Sequence, residues 1–264
     1  MRSSPRWLTY SGATAELALG LLGVVLLSSL VSLGLGAPYA FLVTAVLAYL
    51  VMAAVLAWHW PHGNRSLGAA NRITLARGVL VCQLAAALVA PSWLVAHAHW
   101  LVGVAALALA CDGLDGWVAR RTGTESAFGA RFDMELDAVL ILVLSLCVVA
   151  TGKAGGWVLA IGAMRYALVA AMRPWPWLAA PLPESLRRKA VCVWQVASLL
   201  CALSPWVPGP LAQVLLALSL ALLAWSFAVD VAWLRHVSRE RRAPGPEAAP
   251  LTPPIHRKEP EHER

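Results

Sequence analysis

The sequence predicts an all-α fold, a polytopic transmembrane helical bundle, and three observations support this fold class. Hydrophobic residues make up 59% of the chain and charged residues only 13%, whereas a soluble domain carries roughly 25% charged residues. The mean hydropathy is +0.68. The apolar runs have the length of membrane-crossing helices, and the alternation expected of barrel strands is absent. The bilayer is therefore expected to set the architecture.

Eight apolar runs are each near the roughly 20 residues that a helix needs to cross a bilayer. The first run follows Arg2 and Arg6, but it is longer than the apolar core of a signal peptide, so we interpret it as a retained helix. The proline-broken segment at 174–186 is expected to form an interfacial loop, and the charged, proline-rich segment after about residue 238 a disordered cytoplasmic tail. The predicted spans are approximately 13–34, 39–58, 72–90, 95–118, 131–151, 155–172, 189–204 and 210–234.

The distribution of lysine and arginine predicts the orientation of the bundle. With the N-terminus inside, the external loops contain one basic residue between them, Lys153, whereas the internal segments contain many. This asymmetry predicts a protein of the cell inner membrane with both termini on the cytoplasmic side. We attribute the net charge of +7 to topology and anionic lipid contact rather than to nucleic-acid binding. The internal basic residues are Arg2, Arg6, Arg65, Arg120, Arg121, Arg173, Arg187, Arg188, Lys189 and the arginines of the tail.

Four aspartates lie close together at 111–140, beside apolar runs. An ionised side chain in a membrane segment costs about 2.5–3.5 kcal/mol on insertion scales, so four of them need a compensating cation. At about 100° per residue, Asp112 and Asp115 share one face of the first helix, and Asp133 and Asp137 share one face of the next. The connecting loop is short, so the helices are expected to be antiparallel neighbours whose aspartates meet at the cytoplasmic end.

The residues around the aspartates indicate a metal and phosphate site. Clustered carboxylates without cysteine or histidine suit Mg²⁺ or Mn²⁺, and four of them can hold two ions roughly 3.5–4 Å apart. Gly116, Ala119 and Gly129 remove side-chain bulk from the same faces, so a large ligand can approach the backbone. Arg120 offers a forked donor to a phosphate or a nucleobase. Helix-end aspartates that merely pair with arginines would explain neither the shared faces nor the small residues.

The spacing D-x2-D-G-x2-A-R-x8-G-x3-D-x3-D in this stretch resembles the signature of the CDP-alcohol phosphatidyltransferase family at every fixed position. The resemblance covers residues about 71–234 and implies a six-helix catalytic core plus two extra N-terminal transmembrane helices. We therefore expect an N-terminal region at 1–62, the core at 63–238 and the tail at 239–264. Family members transfer a phosphatidyl or similar group from a CDP-alcohol, typically CDP-diacylglycerol, to a hydroxyl with release of CMP, commonly as homodimers.

The resemblance also implies roles for individual residues. Asp112, Asp115 and Asp133 would be metal ligands, with Asp137 the last ligand and the general base that takes a proton from the acceptor hydroxyl. An upstream N-x2-T-x2-R element resembles one that flanks the nucleotide in the family, although its first two residues would also suit a helix cap. The residues expected to border the cytidine diphosphate are Asn71, Thr74, Arg77, Gly116, Arg120 and Gly129.

Basic residues further along the chain are candidates for binding the acceptor. Arg165 and Arg173 partly resemble the R-E-x3-S-x-L-R stretch of phosphatidylglycerophosphate synthases, with Tyr166 and Ala170 in place of its Glu and Ser. Topology alone explains Arg173 but not Arg165, which lies deep in an apolar run. These residues favour a phosphorylated acceptor such as glycerol 3-phosphate, although an inositol phosphate or a neutral alcohol stays open. The candidates for the acceptor or lipid phosphate are Arg165, Arg173, Arg188 and Lys189.

Two other functions are compatible with an acidic cluster on membrane helices. An intramembrane prenyltransferase also uses aspartates and Mg²⁺ to hold a diphosphate, but it favours D-x3-D clusters repeated in two halves of the chain. A cation transporter or scaffold would place its aspartates near the bilayer midplane rather than at one end. The sequence places all four at the predicted cytoplasmic end, which favours the transferase.

Overall fold

The computed structural model describes residues 11–60, 67–122, 126–183 and 185–240, with side chains except at positions 11–13, 115, 119, 120, 122 and 240. Within those ranges the chain forms nine α-helices, two short 3₁₀ helices and no strand, which confirms the all-α prediction. The predicted tail lies almost entirely outside the described residues. The α-helices are α1 (Ser11–Leu35), α2 (Tyr39–Trp58), α3 (Ala69–Ala87), α4 (Pro91–Ala96), α5 (Ala98–Thr122), α6 (Ala127–Ala150), α7 (Leu159–Ala171), α8 (Leu186–Leu203) and α9 (Gly209–Glu240), and the 3₁₀ helices are Gly156–Val158 and Pro176–Ala179.

Each of the eight predicted spans coincides with a helix, and four of the described helices are long and apolar enough to cross a membrane. Of the other five described α-helices, α4 and α7 are shorter, and α3, α6 and α8 carry charged and polar residues. Those three helices are the ones that hold most of the predicted site residues, and ionised side chains lower the hydropathy of the helix that carries them. The chain is a multi-pass membrane protein. The four apolar helices cover 14–35, 39–58, 98–118 and 209–239.

Helix α3 lies at the centre of the bundle, in contact with α1, α2, α5 and α6. Most of its residues are buried, including the polar side chains of Thr74, Arg77 and Gln83. Helix α6 in turn contacts α7 and α8, and α8 packs along α9. Helix α3 is therefore placed between the N-terminal helices and the hairpin that carries the aspartates.

The first two helices are bound to the rest of the bundle by polar as well as apolar contacts. The buried amide of Gln83 on α3 lies 3.0 and 3.1 Å from the hydroxyl oxygen of Ser28 on α1. The indole N–H of Trp93 donates to the carbonyl oxygen of Leu35 at 2.8 Å. Hydrogen bonds between transmembrane helices contribute about 0.6 kcal/mol each on average, so these contacts add to the apolar packing. Helices α1 and α2 are thus packed as part of the bundle.

Gly162 of α7 lies against the backbone of α6. A Cβ at this position would be 2.5 Å from Leu142 Cα, which is closer than packed carbon atoms approach. We expect Gly162→Ala to push the two helices apart and to lower stability by about 1–3 kcal/mol, measured as a fall in melting temperature in detergent micelles. Gly103→Ala is the matched control, because its Cβ would meet nothing within 4 Å and alanine favours a helix. Equal melting temperatures for the two variants would contradict this close contact.

Candidate active site

Helices α5 and α6, which are consecutive in the chain, form the hairpin that carries the acidic cluster. The sequence predicts that they are neighbours, but within the described residues both pack against α3 and α8 rather than closely against each other. Helix α6 begins after Ser126, whose hydroxyl oxygen accepts a hydrogen bond from the N–H of Gly129 at 3.0 Å and so caps the helix. Asp133 and Asp137 follow one turn apart on α6, and Asp112 approaches them from α5. One carboxylate oxygen from each of these three aspartates lies within 4.8 Å of the other two. The packing of both helices against α3 therefore brings three of the four predicted aspartates together.

Arg77 of α3 lies among the three carboxylates. Its guanidinium donates from Nη1 to Asp112 and from Nη2 to Asp133, and Nη2 lies 3.4 Å from Asp137 Oδ1. The Arg77 side chain is fully buried, whereas those of the aspartates are 34%, 39% and 31% exposed in chain order. A buried guanidinium needs opposite charges close by, and the aspartates supply them. The sequence predicts that Arg77 lies beside the nucleotide, and the structure shows a direct contact with the acidic cluster.

The donor set of this cluster fits a hard divalent cation. Its atoms are carboxylate oxygens, which are the ligands that Mg²⁺ and Mn²⁺ prefer, and three of them are close enough to share one ion. The cluster also accommodates a positive group, because the Arg77 guanidinium lies among these oxygens. The fourth predicted ligand, Asp115, has its backbone in α5, but its side chain lies outside the described part of the chain.

Asn71 of α3 lies against the first turn of α6. A Cβ on Gly129 would be only 2.4 Å from Asn71 Oδ1, so glycine is the residue that leaves room for the amide. Asn71 Nδ2 donates to the carbonyl oxygen of Leu67 at 2.8 Å. Thr74 is buried one turn later, and its hydroxyl donates to the carbonyl oxygen of Ala70 at 3.2 Å. The structure thus joins two residues that the sequence assigns to the nucleotide, Asn71 and Gly129.

Two other residues that the sequence assigns to the nucleotide lie on α5. Gly116 is partly buried, one turn after Asp112. The side chain of Arg120 lies outside the described residues, as does that of Ala119, so the contact expected for Arg120 stays a prediction.

Two of the basic residues predicted to bind phosphate have carboxylate partners within the chain. Arg165 Nη2 lies 2.5 Å from Glu135 Oε1. Arg188 Nη1 lies 3.3 Å from Asp230 Oδ1, which is also 2.5 Å from Arg187 Nη2. The carboxylate of Glu135 compensates the charge of Arg165, which would otherwise be costly in an apolar helix. The other two members of the predicted set, Arg173 and Lys189, are exposed.

Neither of these acidic partners, Glu135 and Asp230, is predicted from the sequence. Asp230 stands alone in the apolar part of α9, and a lone ionised residue in such a run signals that a partner lies nearby. Glu135 lies between Asp133 and Asp137 in the chain, but at about 100° per residue it points away from their shared face. The helical position of Glu135 therefore indicates that its side chain has a different partner from those of Asp133 and Asp137.

The family model described as CDP-alcohol phosphatidyltransferase matches residues 67–225, more than half of the chain. The matched range includes α3 through α8 and half of α9, and it leaves α1 and α2 outside. No solved structure matches the chain.

Proposed function

This chain belongs to the CDP-alcohol phosphatidyltransferase family, and from that premise we propose that it moves a phosphatidyl group from CDP-diacylglycerol to the hydroxyl of a small alcohol, releasing CMP in phospholipid synthesis. The observation that carries the proposal is the meeting of Asp112, Asp133 and Asp137 around Arg77 within the matched region. Membership of this family supports a CDP-alcohol as the donor. The donor lipid and the acceptor are our assignments.

We assign the four aspartates, Asp112, Asp115, Asp133 and Asp137, as ligands of two Mg²⁺ or Mn²⁺ ions. Such ions, when bound, neutralise the charge of the diphosphate and of the leaving CMP. The support is the oxygen-only donor set of the three described aspartates.

Asp137 is assigned as the general base. Its carboxylate accepts the proton of the acceptor hydroxyl as the acceptor oxygen bonds to the phosphorus that carries diacylglycerol. The bond from that phosphorus to the CMP oxygen breaks, and CMP leaves with the electron pair. The Asp137 side chain is 31% exposed, so a small alcohol has access to it.

The cytidine diphosphate is assigned to the end of the bundle where α3 meets the aspartate hairpin. The contact between Asn71 and Gly129 supports this assignment, because it puts an amide beside a backbone that has no side chain. Thr74, Gly116 and Arg120 complete the set. Arg77, which follows Asn71 and Thr74 on α3, connects these nucleotide-binding residues to the carboxylates.

We assign Arg165 to the phosphate of a phosphorylated acceptor such as glycerol 3-phosphate. The side chains of Arg165 and Glu135 are 29% and 58% exposed, so a phosphate can reach the guanidinium and replace the carboxylate as its partner. A phosphate offers the guanidinium more acceptor oxygens than Glu135 does. The further residues of this assignment are Arg173, Arg188 and Lys189.

We place the protein in the cell inner membrane as a homodimer, with the active site and both termini on the cytoplasmic side. The support for the orientation is the excess of basic residues in the segments predicted to be internal. The core at 63–238 would carry the activity.

The test is CMP release by the purified protein in detergent micelles, with CDP-diacylglycerol, Mg²⁺ and a panel of acceptors. We expect CMP with glycerol 3-phosphate or another phosphorylated alcohol, and none after EDTA treatment, because the carboxylate cluster alone does not neutralise the diphosphate. The lipid product identified by mass spectrometry then names the acceptor.

Two other outcomes would contradict this function. Consumption of a prenyl diphosphate without any use of a CDP-lipid would make the chain a prenyltransferase. Metal flux in liposomes without CMP release under any donor and acceptor pair would make it a transporter.

A further inference from the structure

Glu16 of α1 is bound at the start of α3. Its Oε2 accepts a hydrogen bond from the backbone N–H of Leu67 at 2.7 Å. Its Oε1 accepts two bonds from Arg72, from Nε at 2.8 Å and from Nη2 at 2.6 Å. The Glu16 side chain is only 13% exposed, and both of its oxygens are used. A charged carboxylate bonded to an N–H in this way makes a stronger bond than a neutral acceptor does.

The residue that Glu16 holds by its backbone N–H also supports Asn71 through its carbonyl oxygen. The carbonyl oxygen of Leu67 accepts the bond from Asn71 Nδ2, and Asn71 Oδ1 lies against Gly129 at the start of α6. Leu67 itself is buried, with 6% of its surface exposed. Three consecutive contacts therefore run from the N-terminal helix through Leu67 and Asn71 to the helix that carries two of the aspartates.

No side chain of helix α3 caps its own N-terminus. Its N-cap residue is Gly68, which has a positive φ of 83° and offers no side chain to the first turn. A negative charge near a helix N-terminus is favourable, and here α1 supplies it from outside the helix. The start of α3, and with it Asn71, depends on a residue that lies outside the range matched by the family model.

We propose that Glu16 is a positioning residue for the nucleotide site, which it serves by holding the backbone of Leu67 and so the Asn71 side chain against Gly129. This inference rests on the proposed function. It assigns a purpose to α1, which is to support the first turn of α3 rather than to contact substrate.

The test compares Glu16→Ala with the wild-type protein, full length and in detergent micelles. We expect the KM for CDP-diacylglycerol to rise about tenfold with kcat within about twofold, since a charge-assisted bond that orders the binding residues is lost. The Kd for CMP with Mg²⁺, measured by titration calorimetry, should rise in parallel. Hydrogen exchange at the Leu67 amide should become faster, since its acceptor is gone.

Two further variants separate positioning from general support. Glu16→Gln keeps one oxygen that can accept from the Leu67 N–H but loses the charge and the second acceptor, which bonds Arg72, so its KM should lie between those of the wild type and Glu16→Ala. Ser28→Ala breaks a buried polar contact between the same two helices, with Gln83, but does not touch Leu67. Its KM and its Leu67 exchange should match the wild type even where its melting temperature falls.

The inference is overturned if Glu16→Ala leaves the Kd for CMP and the Leu67 exchange unchanged. It is equally overturned if Ser28→Ala raises the KM as much as Glu16→Ala does, or if Glu16→Gln is as impaired as Glu16→Ala. A wild-type protein that releases no CMP would instead contradict the proposed function. The exchange and CMP-binding measurements then decide the role of Glu16 without turnover.

Discussion

Replacing Arg77 with alanine is expected to lower the melting temperature of the metal-free protein by about 6 °C or more. The guanidinium is fully buried and contacts three carboxylates, so its loss leaves negative charges facing one another without a cation. Breaking a buried ion pair by removing one partner costs about 3–5 kcal/mol, and each kcal/mol corresponds to about 2–4 °C in a chain of this size. The partial exposure of the aspartates favours the lower end of that range. Thermal unfolding in detergent micelles with EDTA measures the effect.

Added Mg²⁺ should recover part of this loss. A divalent cation that binds only the folded protein stabilises it by mass action, and in Arg77→Ala it does not compete with the guanidinium. The Mg²⁺-induced rise in melting temperature should thus be larger in the variant than in the wild type. Arg72→Ala is the control on the same helix, since that arginine is 59% exposed and contacts one carboxylate, Glu16, which keeps its bond from the Leu67 N–H, so the loss of stability should be smaller. An Arg77→Ala protein as stable as Arg72→Ala in EDTA would refute the buried ion cluster.

Replacing Asp137 with asparagine is expected to lower the kcat for CMP release by about 10²–10⁴-fold. Asparagine has nearly the same shape but cannot accept the hydroxyl proton, and a positioned general base contributes about that factor. The change also removes one charged oxygen from the cluster. The rate is measured as CMP formed at saturating CDP-diacylglycerol and acceptor.

Ser145→Ala provides the control for Asp137→Asn. Ser145 is on the same helix, and its hydroxyl donates to the carbonyl oxygen of Ile141 at 2.8 Å, away from the cluster. We expect its CMP release to stay within about twofold of the wild type, since a local helix bond of this kind contributes little. Wild-type turnover by Asp137→Asn would show that another group takes the proton.

The positions of the helices follow from local properties of the sequence. Apolar runs of sufficient length predict the spans, and every predicted span contains a helix. The spacing of Asp133 and Asp137 predicts a shared face because helical phase depends only on separation along the chain. The short connection between α5 and α6 predicts that Asp112 meets them, and the packing of both helices against α3 brings the three together.

The partners of the charged residues did not follow from the sequence. Arg77 is 35 residues from Asp112 and 56 from Asp133, and Glu16 is 56 residues from Arg72. Local periodicity carries no information over such distances. Which charges meet depends on how whole helices pack, and α3 meets α1 on one side and the aspartate hairpin on others.

The sequence alone determined that this chain is a helical membrane protein, because hydropathy is a local quantity. Helical phase, which is also local, predicted that its aspartates form two facing pairs, and the structure describes the side chains of three of them, Asp112, Asp133 and Asp137. The tertiary structure decided that a buried arginine joins those aspartates, and that α1 supplies the carboxylate at the start of α3. Ionised groups among apolar helices must be paired, and only the packed bundle determines which partner is within reach.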